Sequence, residues 1–481
     1  MGFAQLRQGR TPPIDARSPR NGSGQVQESE SGEREMIGRE GILKVLRQAL
    51  ERAEGPTEIV FMGGRSELTR YTKSQIHQHV AEEDTHIYVK AVEGKRVGVA
   101  RTNQLSAEAL VAAEREAREL ARRQPENPFF PGLLGPQNYT PTDTYSENTS
   151  RFGPERRAEV LKEIFAEAER KKFEVAGSFS ISEWEVALAN TEGLEAYQPV
   201  AGAEIGLVVM SEEGMARADA FSHDVERIDF DSLAKKAISR CELDRGKIEL
   251  PPGEYTVILE PACLAEILEW LSFTAFGSEA YLSGQSFLAG ALGERSMGEN
   301  ITIYDSVWEP EAQGLPFDFE GTPKRKVMLI ERGVNKGVVF DRTSAKKANA
   351  EPTGHAGPPG SPWGAIPWNI CLAPGDSSLE EMIASCKRGI LVSNFHYVNG
   401  YLDTKRALMT GMTRYGTFLI ENGEITRALA NLRWTESMLK AFSNVVAISR
   451  EREAFARDGG FASIVPAVMI EGFTFTGVQR E

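Results

Sequence analysis

From residue 36 onward the apolar positions fall at helical spacing, with Ile42, Leu43, Val45, Leu46 and Leu50 on one face until Gly55 and Pro56 break the run. The segments EIVFMGG, SELTRYT, QIHQHVAE, THIYVKAV and RVGVARTN follow. They are short strand-like stretches separated by turn candidates such as Gly63-Gly64 and Glu93-Gly94-Lys95, and they predict an antiparallel sheet. Ser106 is placed to cap a helix that runs to about Arg123. A Pro/Asn/Thr-rich connection over 124–150 reads as a long surface crossing. A second helix is predicted near 154–172, then the strand-like SFSISEWEVALAN and AEIGLVVMS, then a helix around 231–241. Helix, strands and helix therefore recur, which suggests a duplicated unit.

Pro251-Pro252-Gly253 marks a boundary, after which GEYTVILE reads as a buried strand and PACLAEILEWLSFTAF as a helix apolar around most of its circumference. The remainder mixes short strands with Gly-rich turns, including KVMLIERG, GVVFD, GILVSNF, YGTFLIENGEI and AVMIEGFTFTG. Alternating βαβ units are not evident, so the fold class expected is α+β in two domains, an N-terminal antiparallel sheet with helices over 36–250 and a strand-rich domain over 251–481. Residues 1–35 are dominated by Gly, Ser, Pro, Gln and charge and are expected to form a disordered tail.

Composition narrows the classes of function. The formal net charge of −14 repels phosphate backbones, and no Lys/Arg stripe interleaved with aromatics overrides it, so nucleic acid is not an expected partner. No stretch approaches the roughly 18 apolar residues of a membrane span, and no secretory signal is visible, so a cytoplasmic protein is expected. Cys241, Cys263, Cys371 and Cys386 lack CxxC spacing and read as buried structural thiols.

Four segments in order carry a resemblance. FDFEGTPKRKVMLIERGVNKGVVFDRTSAKKA (317–348), PTGHAG (352–357), KRGILVSNF (387–395) and YGTFLIENGEITRALANLR (415–433) resemble the acidic-Gly-Thr-Pro hairpin, the Gly-His-Ala-Gly loop, the Gly-hydrophobic strand and the closing hairpin of the TldD/PmbA family. The resemblance implies a zinc peptidase of two related subunits, one carrying an HExxxH helix and a later cysteine, the other built alike without them. In the catalytic subunit two imidazoles and a thiolate would hold zinc, and the Glu would take a proton from its water.

Against that pattern, the expected place of HExxxH falls at Glu269-Trp270-Leu271-Ser272-Phe273-Thr274, which has no histidine, and no cysteine follows Cys386. The resemblance is thus to the PmbA (TldE) side of the pair. No catalytic and no metal residue is expected in this chain, and zinc is expected only in a partner, a TldD-like homologue carrying HExxxH; self-pairing is the alternative. A peptide cleft would be lined by Glu269, Trp270, Thr274, Thr353, Gly354, His355 and Gly357. An independent hydrolase using His355 is a third reading. His77 and His79, with His86 beyond Glu82-Glu83-Asp84, could face a metal, but an exposed polar strand face explains them better. The charges over 114–123, and Lys324, Arg325 and Lys326, read as solvated surface.

Overall fold

The computed structural model describes residues 36–457 and 461–479, so the tail expected over 1–35 lies outside the described residues. The chain is α+β, and its first half is a duplicated unit. Helix Arg39–Leu50, strands Thr57–Thr72, Gln75–Glu93 and Arg96–Thr102, and helix Ala107–Arg123 form one copy. Helix Pro154–Arg170, strands Glu174–Asn190, Glu195–Met210 and Met215–Ser222, and helix Phe230–Leu243 form the other. The two first strands lie side by side and antiparallel, from Glu58 opposite Asn190 to Tyr71 opposite Gly177, which joins the copies into one six-stranded sheet.

Alternation along these strands sorts side chains onto two faces. One face packs its odd-numbered residues against the helices: Ile59, Phe61, Ile87 and Val89 under the first helix pair, Val175, Phe179, Ile205 and Leu207 under the second. At one end of the opposite face Val60, Val186, Leu188 and Ala196 pack on Phe317, Phe319 and Trp368 of the second half.

The turn expected at Gly63-Gly64 is not there, since Thr57–Thr72 runs through both glycines and reverses instead at Lys73 and Ser74, both with positive φ. The glycines answer a different need. A Cβ on Gly64 would lie 2.1 Å from the Glu183 carbonyl oxygen, and one on Gly63 would lie 2.4 Å from the Phe61 ring, so both mark close approach within the sheet. The charges over 114–123 are also not uniformly solvated. Arg118 is buried, paired with Glu114, and its guanidinium donates to the Val92 carbonyl, Glu93 and the Thr57 hydroxyl, which ties the helix to the sheet.

The second half is built on an eleven-stranded sheet in which strands Gly253–Leu259, Arg388–Asp403, Leu408–Glu421, Leu432–Ser437 and Phe461–Val478 pair in sequence and return to the first, closing a ring. Trp434, Phe395, Phe473 and Phe475 belong to its core, with helix Pro261–Leu271 packed alongside. The Asn422-Gly423 turn has positive φ at both residues, the conformation a tight hairpin requires, and joins Leu408–Glu421 to Glu424–Ala428. The segment GVVFD forms no strand, although Val338 and Val339 are buried. All four cysteines are free and buried.

Candidate functional site

The hairpin carrying Asp318, Gly321 and Thr322 and the loop carrying Gly354 and His355 are brought together. Asp318 shapes the hairpin by accepting from the backbone N–H groups of Glu320 and Thr322 through one oxygen and from Ala356 through the other, all at 2.9 Å. Gly321 has φ +75° at the tip, where a Cβ would lie 2.3 Å from Leu194, and the Tyr139 hydroxyl donates to its carbonyl. Gly354, at φ +76°, lets the loop lie against the hairpin, since a Cβ there would come 2.4 Å from the Pro323 carbonyl.

Under this contact sits a buried cluster of Asp305, His355 and Lys324. Asp305, at 0% exposure, accepts at one oxygen from His355 Nε2 at 2.8 Å and at the other from the backbone N–H groups of Trp368 and Asn369 at 2.7 and 2.8 Å. A carboxylate only accepts, so neutral His355 carries its proton on Nε2, and Nδ1 lies 2.9 Å from the Thr353 hydroxyl, whose hydrogen it shares with the Phe340 carbonyl at 3.0 Å. Burial pushes the Asp305 carboxyl up, but His355, Lys324 and the backbone donors outweigh it and hold the group down at about 2. Burial pushes the His355 imidazole down, with Lys324 adding to the effect.

Lys324 is the residue that sequence reasoning misplaced. It is 5% exposed, its Nζ lies 3.6 Å from the centre of the Trp368 ring, and it has no hydrogen-bond acceptor among the described residues. Desolvation lowers its ammonium to about 8 against the pull of Asp305 and Asp318. Arg325 and Lys326 are exposed, as expected. No local pattern marks Lys324, since burial does not alternate along 324–326 and its partner ring, Trp368, is distant in sequence.

Glu320 completes the charged region. Its Oε2 accepts from the Arg342 backbone N–H at 3.1 Å, and desolvation together with Asp318, Asp341 and Glu58 pushes its carboxyl up, opposed by Lys90. A carboxyl with a raised folded-state pKa costs nothing where both states are protonated, and its penalty grows as pH rises through the unfolded value. Glu320→Gln is therefore expected to stabilise the protein at pH 7, on the order of 1 kcal/mol, and to do nothing near pH 4. Urea unfolding at the two pH values checks this, and equal effects at both would contradict it.

The Asp305–His355–Thr353 chain has the composition of a relay that could activate a hydroxyl. The Thr353 hydroxyl, however, also accepts from the Phe340 N–H at 2.8 Å and lies 3.0 Å from the Phe340 carbonyl, so it is held by the backbone of the fold. The arrangement fastens the loop.

The other cleft candidates belong to helix Pro261–Leu271, its continuation, and the loop that follows His355. Helix Pro261–Leu271 continues into a π-helical turn, Ser272–Phe276, a feature that often accompanies functional positions. Trp270 packs edge-on to Tyr401 with ring centres 5.3 Å apart, and Glu269 is partly buried. The Ser272 and Thr274 hydroxyls donate to the carbonyls of Leu268 and Trp270 at 2.9 and 2.8 Å. The turn meets the long loop where Phe273 contacts Trp363 at 5.5 Å between ring centres and Ala365 N–H donates to the Ser278 hydroxyl. Gly357 lies in this loop beside Ser361.

This donor set does not fit zinc. The turn offers one carboxylate and two hydroxyls already donated to the helix, and Cys263 is buried with its thiol pushed well up by desolvation, far from a ready thiolate. Among the described residues no group of three or more His, Cys, Asp or Glu is arranged to hold a metal. His79 Nδ1 is hydrogen-bonded with the Thr69 hydroxyl at 3.1 Å, and His86 pairs with Asp84 at 3.1 Å.

A family model for the PmbA/TldA metallopeptidase C-terminal domain matches residues 252–477, and one for the central domain of the same family matches 147–242. A metalloprotease of Methanocaldococcus jannaschii is 28% identical over 243 residues, 50% of this chain and 53% of that protein, so the match spans about half the length of this relative. A metalloprotease TldD homolog of Buchnera aphidicola is 23% identical over 396 residues, 76% of this chain and 80% of that protein. Among solved structures, TldE from Thermococcus kodakarensis superposes with a TM-score of 0.82 at 21% identity, covering 91% of this chain and 100% of that one, which extends the likeness to the overall fold. Two family models that together span most of the chain, on a fold with this hairpin and loop, establish that the protein belongs to the PmbA/TldD metallopeptidase family.

Proposed function

We propose that this chain is a PmbA/TldE-like, non-catalytic subunit of a TldD/PmbA-type metallopeptidase complex. It pairs with a zinc-bearing homologue and shapes the cleft through which peptides reach that homologue's metal. The carrying observation is the 269–274 segment, where the two positions that would ligate zinc are Glu269 and a Thr274 bonded to its own helix, and the position of the base is a Trp packed on Tyr401. The buried cluster then serves architecture, holding the hairpin and the 352–357 loop in fixed relation to the sheet of the first half. We place the complex in the cytoplasm; no helix among the described residues is long and apolar enough to cross a membrane.

The test is reconstitution. This chain, purified and dialysed against zinc, is expected to show no peptidase activity alone, and the homologue is expected to gain activity when it is added. Hydrolysis by this chain alone that survives chelation and removal of every HExxxH protein would overturn the reading.

A further inference from the structure

Strand Met215–Ser222 and helix Phe230–Leu243 of the first half meet the start of helix Pro261–Leu271 and the middle of strand Arg388–Asp403, and a cleft lies between them. It encloses about 260 Å³, part of it open to solvent. The charged groups around it are matched in pairs. Arg217 pairs with Asp219 at 2.8 Å, Lys236 with Glu453 at 2.8 Å and Arg240 with Glu260 at 2.7 Å, so these six side chains carry no net charge. Glu204 also acts on Arg217, but from an exposed position.

Two polar groups of the cleft are unspent. Ser393 is 4% exposed, and its hydroxyl lies near enough to Glu260 to act on that carboxyl but completes no hydrogen bond with it or with any other described group. Helix Pro261–Leu271 begins at the cleft without a side-chain cap, and Ala262 of its first turn lines the wall, so N–H groups and the positive end of the helix dipole are presented there.

A cation without a carboxylate stands at the rim. Arg414 lies directly opposite Asn394, which lines the cleft, and His396 follows two residues along with no bulge between, so the three side chains share one face of the strand pair. Arg414 Nη1 donates to His396 Nε2 at 2.7 Å, which fixes the imidazole as neutral. Burial, then Arg414 and the cleft residue Arg217, push that imidazole down, which puts all three groups in one field. The other contact of Arg414 is the Tyr415 ring, whose centre lies 4.8 Å from the guanidinium carbon, and no carboxylate pairs with it among the described residues.

We infer that this cleft binds a single carboxylate group, with Arg414 as its counter-charge and the Ser393 hydroxyl, the Asn394 amide and the start of helix Pro261–Leu271 as its hydrogen-bond donors. One positive charge is unmatched, so the site suits a monoanion and not a doubly charged phosphate. A guanidinium fork binds a carboxylate through two parallel hydrogen bonds. The narrow cleft takes the head group and leaves the rest of the ligand outside. A free short-chain carboxylic acid and the C-terminus of a peptide share this chemistry, and the experiment separates them. The inference does not rest on the proposed function, since it concerns this chain without its homologue and involves no hydrolysis.

The test is isothermal titration calorimetry of the full chain at constant ionic strength, with acetate, N-acetylalanine and N-acetylalaninamide as probes. The acids are expected to bind with a Kd of about 1 mM or below, and the amide at least about tenfold more weakly. Arg414→Gln is expected to weaken acid binding about tenfold, to the level of the amide. Ser393→Ala removes a hydroxyl that holds no hydrogen bond in the protein, so its Tm is expected to be unchanged while acid binding falls about threefold. It decides the matter if Arg414→Gln fails to fold. Tighter binding of N-acetylalanine than of acetate identifies a peptide C-terminus as the source, and equal or tighter binding of acetate identifies a free acid. No acid binding up to about 20 mM, an amide that binds as tightly as the acid, or binding indifferent to these substitutions each overturns the inference.

Discussion

Asp305→Ala is expected to cost about 3–5 kcal/mol of stability, the largest loss predicted for any single change in this protein. The side chain is fully buried, and its removal strands the His355 Nε2–H and the backbone N–H groups of Trp368 and Asn369 without acceptors. It also leaves the buried Lys324 ammonium with Asp318 as its remaining nearby carboxylate. The wild-type protein carries the same interaction in its pH dependence. The folded-state value of Asp305 lies at about 2, below its ordinary 3.8, so its contribution is complete above about 4 and disappears as pH falls toward 2. At roughly 1.4 kcal/mol per unit this amounts to about 2–3 kcal/mol. Urea unfolding of wild type and Asp305→Ala across that range should show the difference shrinking with acid; a difference independent of pH would contradict the assignment.

Lys324→Met is expected to act in the opposite direction. Burial lowers the folded-state value of this amine from 10.5 to about 8, so folding at neutral pH confines a charge that the neighbouring carboxylates only partly repay. The penalty is complete below about 8 and vanishes only above 10.5, where both states are neutral. Methionine has nearly the shape of the lysine stem and should keep the contact with Trp368 while removing the charge, so a gain of about 1–3 kcal/mol at pH 7 is expected, fading toward pH 10. Thermal unfolding at the two pH values measures it. A loss of stability at pH 7 would mean that the ammonium is a required counter-charge for Asp305 and Asp318.

The opposite signs of these two effects show where the sequence could be read and where it could not. Helical spacing of Ile42, Leu43 and Leu46 and the Asn422-Gly423 turn are local signals, and both elements stand where they were expected. The recurrence of helix, strands and helix was legible for the same reason. Gly63-Gly64 misled because a glycine needed for close approach to a neighbouring strand looks the same, in one dimension, as a glycine needed for a turn. Arg118 and Lys324 misled because a charged side chain is buried only when partners distant in sequence receive it: Thr57 and Glu93 for the first, the Trp368 ring for the second. The acidic-Gly-Thr-Pro and Gly-His-Ala-Gly motifs were visible as strings, but the Asp305 that joins them lies 50 residues from His355 and carries no local mark.

The proposed division of labour is tested most directly by tagging this chain in its own host, purifying it gently and identifying every chain that returns in stoichiometric amount. A homologue bearing HExxxH and a later cysteine is the predicted result, and it would put the chemistry in that partner. Recovery of this chain only with itself, at full expression of such a homologue in the same cells, would contradict the account and leave the self-paired form as the working assembly.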